Sequence, residues 1–465
     1  MTIDYNDLAQ KTSKYLQKLT NTADLHLSPE VYKTIGESID LDKLKIDRQI
    51  RLFNGGKGNK FKLPIEASSI PYIWDIEDDG NVKLATIDVM NYKLKKKKRL
   101  HSENQQYSQR SLDFKKTLQE INKSNFKNGI DLDNFVISNI SKNPVNKTHV
   151  KELLKYGKIV PLNSKKGIFV PNFALHPNYF SLEYEGRWKI PSGTPEQKLL
   201  NKIVIDPIKE TTGIEVSPLM TYDFSSGHST STSFTAYNDG SFSSIGNRTA
   251  REIVIGSAPL SNMIMMSHLM TNAWKQTGIL DRRDVVMDKF AGMHISTTVP
   301  NSDTHKQEVI STYLNHVGSI FNALTKTNPR WESSSYLGMR KSYDSERHDF
   351  RFGSGGRLEI RYPGPVANEA YISNQLIFAS KIGADTRAYT KRMENQNVPD
   401  YEMPEFSTIR LRNKTGFKED ILTPLTERGM NQTKRWFNNF LDNIGIKTQF
   451  EKQFVVNMAK QCSMT

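Results

Sequence analysis

The chain has 465 residues, 37% hydrophobic and 10% aromatic, with 27 Gly and 19 Pro: enough apolar material for two or three packed domains, too little Gly and Pro for a fibrous or wholly disordered protein. Its formal net charge is +14, of which the run from Lys93 to Arg99 supplies six, so the rest is only moderately basic. The single cysteine, Cys462, excludes an internal disulfide and a multi-cysteine metal site. No run of eighteen apolar residues and no basic or apolar leader is present, so the sequence reads as a soluble, cytoplasmic protein without a membrane span.

Residues 7–19 carry apolar side chains at three- and four-residue spacing, which predicts a helix. The glycine-rich stretch from Phe53 to Lys60 lacks the Gly-x4-Gly-Lys-Ser/Thr spacing of a phosphate loop and reads as an ordinary loop. The lysine run at 93–99 has no interleaved aromatics and reads as a solvated linker, with weak support for nucleic-acid contact. Residues 1–105 form an N-terminal accessory region through which protein partners could act. Residues 106–175 are a connecting helical and linker region, with helices over 112–122 and 147–155.

From 176 to 395, strand patterns alternate with longer helical ones. A strand through YFSLEYEGRWKI is followed by a helix over 195–210, two strands joined by Asp239-Gly240, and a helix over 261–276. The strand AGMHISTTV, a helix over 304–326, the strand RLEIRYPG and a helix over 368–393 complete this part. Residues 396–465 read as a C-terminal helical segment, with Thr423 and Pro424 as cap and first turn of a helix to 444 and a second helix over 448–460.

Glu183 and Glu185 stand two apart on a strand and so share a face, which by itself also fits a solvated strand surface. Glu252 falls in an apolar strand after the Asp239-Gly240 turn, where a buried carboxylate needs a cation, a metal or a proton; a structural ion pair is the alternative. His294 lies among small and β-branched residues, a setting that also suits a core histidine. Arg357, Glu359 and Arg361 alternate on one face, as either a surface ion ladder or the charges of a phosphate-plus-metal site. The stretch before them reads as a loop bearing Arg330, Arg340, Arg347 and Arg351, with Gly353, Gly355 and Gly356 to let backbone approach a phosphate. Nucleophilic hydrolysis fits poorly, since Gly227-His228-Ser229-Thr230-Ser231 begins like a nucleophile elbow but lacks the closing glycine.

The order of these motifs is Glu-x-Glu, then Asp-Gly-Ser at 239–241 before Glu-Ile-Val at 252–254, Gly-Met-His at 292–294, and Arg-x-Glu-x-Arg-x-Pro at 357–363 with Pro-x-Ala-Asn at 365–368. Over residues 179–395 this order resembles the glutamine synthetase catalytic domain, and more so the bacteriophage-associated carboxylate-amine ligases, or amidoligases. The resemblance implies an α+β fold, a curved antiparallel sheet with helices, preceded by the accessory region. It implies an ATP- and Mg2+- or Mn2+-dependent ligase that forms an amide or peptide bond through an acyl phosphate. Its carboxylate and amine substrates would be small molecules or peptides.

Carried over residue by residue, the resemblance implies that Glu183, Glu185, Glu252, His294 and Glu359 surround the metal ions. Arg357 and Arg361 would contact phosphate or the acyl phosphate, Arg340 and Arg347 would add nucleotide contacts, and Asp239 would help deprotonate the incoming ammonium. Where the pattern Gly-x-His-x-His is frequent in these families, this chain has Ser296 at the second histidine, so substrate contacts there differ. Two further readings stay open. One is a guanidinium kinase on the same fold; the other is a non-catalytic structural or interaction protein, such as a virus-particle component, placed in the host cytoplasm or the virion.

Overall fold

The computed structural model describes residues 72–76, 82–86 and, with gaps, 130–462; the larger gaps are 217–233, 238–243, 281–284, 287–291, most of 300–349, 354–356 and 397–427. The helices expected over 7–19 and 112–122 lie outside the described residues, as does the start of the one expected from Thr423. The strands β1 (Tyr72–Ile76) and β2 (Val82–Thr86) pair as an antiparallel hairpin.

The stretch expected as connecting structure builds a sheet of its own. Strand β3 (Val136–Ile137) and helix α1 (Lys147–Leu154) precede β4 (Gly157–Asn163) and β5 (Lys166–Pro171), which order as β3-β5-β4. The short apolar runs in KIVPLN and KGIFVP drive this pairing, burying Ile159, Val160, Leu162, Ile168, Phe169 and Val170. Asn139 extends the ladder with its side chain. Its Nδ2 donates to the Phe169 carbonyl at 2.8 Å, and its Oδ1 accepts from the Phe169 N–H at 2.9 Å.

The main sheet opens with β6 (Tyr179–Trp188). After it come α2 (Glu196–Leu200), a π-helical turn at Asn201–Ile205, and α3 (Asp206–Thr212), ended by Gly213 at φ 70°. Then follow β7 (Phe234–Tyr237), β8 (Thr249–Pro259), α4 (Leu260–Gln276), β9 (Val285–Val286), β10 (Met293–Thr298), β11 (Phe350–Gly353) and β12 (Arg357–Ile360). The strands order as β11-β12-β10-β6-β8-β7, with β9 also on β6, and every pairing is antiparallel. Helices α5 (Glu369–Gln396), α6 (Arg428–Asn443) and α7 (Gln449–Gln461) complete the chain. The architecture is thus α+β, helices with an antiparallel main sheet, as expected, while the small sheet pairs β3 with β5 in parallel.

Strand alternation splits the sheet into two chemistries. One face of β6 presents Phe180, Leu182, Tyr184 and Trp188, all buried. Tyr184 and Trp188 each meet the Trp274 ring of α4 edge-on, with centroids 5.3 Å apart. Helix α4 is buried along most of its length, its Met, Ile, Leu and Trp side chains together with polar Ser261, Asn262, Ser267, His268 and Thr271. Helix α5 passes so close to β10 that a Cβ at Gly383 would come within 3.0 Å of Thr297 and Asn178, which makes glycine the residue that permits this approach. The other face of the sheet carries the charges.

Among the described residues, no helix is long and apolar enough to cross a membrane. Residues Leu314, Val317, Ile320, Phe321 and Leu324 are helical and buried, in the stretch expected as a helix over 304–326.

Candidate metal centre

Four neighbouring strands, β12, β10, β6 and β8, bring the candidate ligands together. Across β6 and β10, His294 stands directly opposite Glu183; across β10 and β12, Ser296 stands opposite Glu359; across β6 and β8, Glu185 stands opposite Glu252. Residues in register across antiparallel strands share a face, so all of these side chains rise from the one opposite the helices. Glu183, Glu185, His294, Glu359 and Arg361 are buried, while Glu252 is half-buried rather than enclosed.

Glu183, His294 and Glu359 each offer a donor atom within 4.8 Å of the others. His294 Nδ1 lies 3.3 Å from Glu183 Oε2 and 3.7 Å from Glu359 Oε1, and its Nε2 is 3.7 Å from Glu185 Oε1. Glu185 is set by backbone: its Oε2 accepts the Gly292 N–H at 2.5 Å, and its own N–H donates to the Gly292 carbonyl at 3.0 Å. On the other flank, Arg357 Nη2 is 3.1 Å from Glu359 Oε2, Arg357 Nη1 is 3.6 Å from Glu183 Oε1, and Arg361 Nε is 3.1 Å from Glu359 Oε1. Arg357 Nη1 also reaches the Ser296 hydroxyl at 3.4 Å.

Burial pulls the His294 imidazole toward its neutral form, but the carboxylates of Glu185 and Glu183 outweigh it and raise its pKa above the usual histidine value. Burial likewise lowers the Arg357 guanidinium, against the opposing pull of Glu359 and Glu183.

Of the site residues expected from sequence, the structure assembles Glu183, Glu185, His294, Arg357, Glu359 and Arg361, with Glu252 at the edge of the group. Asp239, Arg340 and Arg347 lie outside the described residues. The stretch read as a loop ends in a strand, β11, which sets Arg351 opposite Glu359 on an exposed edge. Sequence reasoning passes over Gly292 as a ligand-holding residue and Arg187 as a further buried cation on this face. The two-residue spacing from Glu185 to Arg187 is a signal for the second; a backbone N–H has no sequence signal.

A divalent cation fits this donor set. Carboxylate oxygens with one imidazole suit Mg2+ or Mn2+, with the imidazole favouring Mn2+. Two glutamates placed directly across a strand pair, Glu185 and Glu252, repel unless a cation stands beside them or one is protonated.

No protein-family profile and no curated protein matches the sequence. Among solved structures the chain is similar to ligand-free GmaS, at 13% identity and TM-score 0.32, over 68% of this chain and 87% of that one. A GmaS/ADP complex is 12% identical at TM-score 0.34, over 86% and 94% of the two chains. Plasmodium falciparum glutamine synthetase is 10% identical at TM-score 0.32, over 61% and 71%. Likeness at these TM-scores says nothing about chemistry, which rests on the side-chain geometry above.

Proposed function

We propose that the chain is an ATP- and divalent-cation-dependent carboxylate-amine ligase. The observation that carries this reading is the convergence of Glu183, His294 and Glu359, from three different strands, to within 4.8 Å, bordered by Arg357 and Arg361. Acidic ligands beside paired guanidinium groups are what a polyphosphate and its cation together need, because each neutralises charge the other leaves.

Glu183, His294 and Glu359 would hold a cation, with Glu185 and Glu252 beside them. The cation would neutralise charge on the transferred phosphoryl group. Arg357 and Arg361 would bind phosphate oxygens in line with the attacking carboxylate. A substrate carboxylate oxygen bonds to the terminal phosphorus as the bond to ADP breaks, giving an acyl phosphate. An amine then bonds to the acyl carbon, inorganic phosphate leaves, and the ammonium proton passes to a base, for which Asp239 is the candidate. Burial of the cradle keeps water from intercepting the acyl phosphate. Ser296, within reach of Arg357, occupies the place where the resembled families frequently carry a histidine.

Calorimetric titration of ATP with Mg2+ into the wild type and into Glu183→Ala/Glu359→Ala tests the reading. Metal-dependent binding in the wild type, absent from the double variant, is the expected result. A wild type that binds no ATP at millimolar concentration, with or without metal, ends the ligase reading.

A further inference from the structure

The carboxylates that could hold a metal ion already hold two guanidinium groups. Arg357 touches both Glu359, at 3.1 Å, and Glu183, at 3.6 Å, while Arg361 touches the second oxygen of Glu359 at 3.1 Å. These two glutamates are also the ones whose donor atoms converge with His294. A divalent ion held by them would repel both guanidinium groups, in a buried setting that screens the repulsion poorly. The Arg357 side chain is 15% exposed, and its 3.6 Å approach to Glu183 is a loose charge pairing rather than a hydrogen bond.

We propose that Arg357 is the cradle's competing cation. It holds Glu183 and Glu359 against a divalent ion, and a phosphate that draws the guanidinium away releases both carboxylates to the metal. Nucleotide and cation therefore tighten each other's binding, reciprocally, as linkage requires. Phosphate is the right trigger because it offers guanidinium a two-pronged, doubly charged partner in place of two separate carboxylate oxygens. The nucleotide half of this mechanism rests on the ligase reading, whereas the competition for the cradle does not.

The test is Mn2+ binding, followed by loss of the free aquo-ion signal in electron paramagnetic resonance, with and without a non-hydrolysable ATP analogue, each titration corrected for the Mn2+ that the analogue chelates in the absence of protein. Wild type, Arg357→Gln and Arg357→Lys are compared, with circular dichroism melts to verify folding. Arg357→Gln should bind Mn2+ alone about tenfold more tightly than wild type, a charge-removal effect on the scale of one close screened pair. Arg357→Lys should stay near wild type, and the analogue should tighten Mn2+ binding in the wild type but hardly in Arg357→Gln. Mn2+ binding by Arg357→Gln that equals wild type or is weaker overturns the competition. If Arg357→Gln binds more tightly but the analogue changes neither protein, the coupling and the ligase reading fall while the competition holds. No Mn2+ uptake by any of the proteins overturns both. Should Arg357→Gln fail to fold, Arg361→Gln, which relieves Glu359 alone, must show the same tightening at smaller size.

Discussion

Glu369, the first residue of α5, shows how one charge can tie separate parts of the fold. Its Oε1 accepts from Ser138 Oγ at 2.9 Å and from Lys166 Nζ at 3.1 Å, and its Oε2 is 2.8 Å from His268 Nδ1. The small sheet, α4 and α5 thus meet at one carboxylate. Burial alone would raise its pKa, but the hydrogen bond and charge of His268, with Lys166, prevail and hold it at about 2. Because the folded value lies below the unfolded one, the stabilisation is complete above about pH 5 and is lost as pH falls toward 2. Glu369→Gln should therefore be roughly 2–3 kcal/mol less stable than wild type near pH 5 and should converge on it near pH 2. Denaturant midpoints measured across pH 2–7 check this; parallel curves for the two proteins would show that Glu369 contributes no charge-dependent stability.

Among the elements, β6 is the hinge of the architecture because it faces two chemistries at once. Glu183 and Glu185 look one way and Tyr184 and Trp188 the other, a division that follows directly from period-two alternation in the sequence. Strand β10 is different. Its His294 acquires meaning only through its neighbours, and Gly292, just before the strand, carries a constraint no local pattern announces. A Cβ at Gly292 would fall 2.9 Å from His294 Nε2 and 3.0 Å from Glu185 Oε2, so any side chain there presses on two candidate ligands. Gly292→Ala should weaken Mn2+ binding about tenfold, the usual size for a disturbed ligand support, with little change in thermal stability. Unchanged Mn2+ affinity in a folded Gly292→Ala protein would place His294 and Glu185 outside the cation site.

Across the molecule, the last helix, α7, packs back onto the three-stranded sheet β3-β5-β4. Thr448 and Glu451 form a capping box that starts α7, as the expected helix over 448–460 requires. From α7, Phe450 stacks on Tyr156 at 4.5 Å and Phe454 meets Phe169 of β5 edge-on at 5.3 Å. Phe454→Ala removes a buried ring from this junction and should cost about 3–5 kcal/mol, read as a lowered denaturant midpoint with an unchanged slope. A loss below about 1 kcal/mol would mean that α7 is not part of the cooperative fold. Local sequence settles the period of each element, and with it the face each charge occupies. Alternation, caps and helix spacing act over a few residues, so Glu183 with Glu185, Arg357 with Glu359, and the bounds of α4 and α5 are all legible. Packing in three dimensions settles the rest: that β10 lies between β6 and β12, that Glu252 is half-buried beside Glu185, that β11 is a strand, and that residues 136–171 form a sheet. Strand order and register depend on how the apolar face packs against α4 and α5 across long stretches of chain, and a one-residue slip would send every ligand to the wrong side.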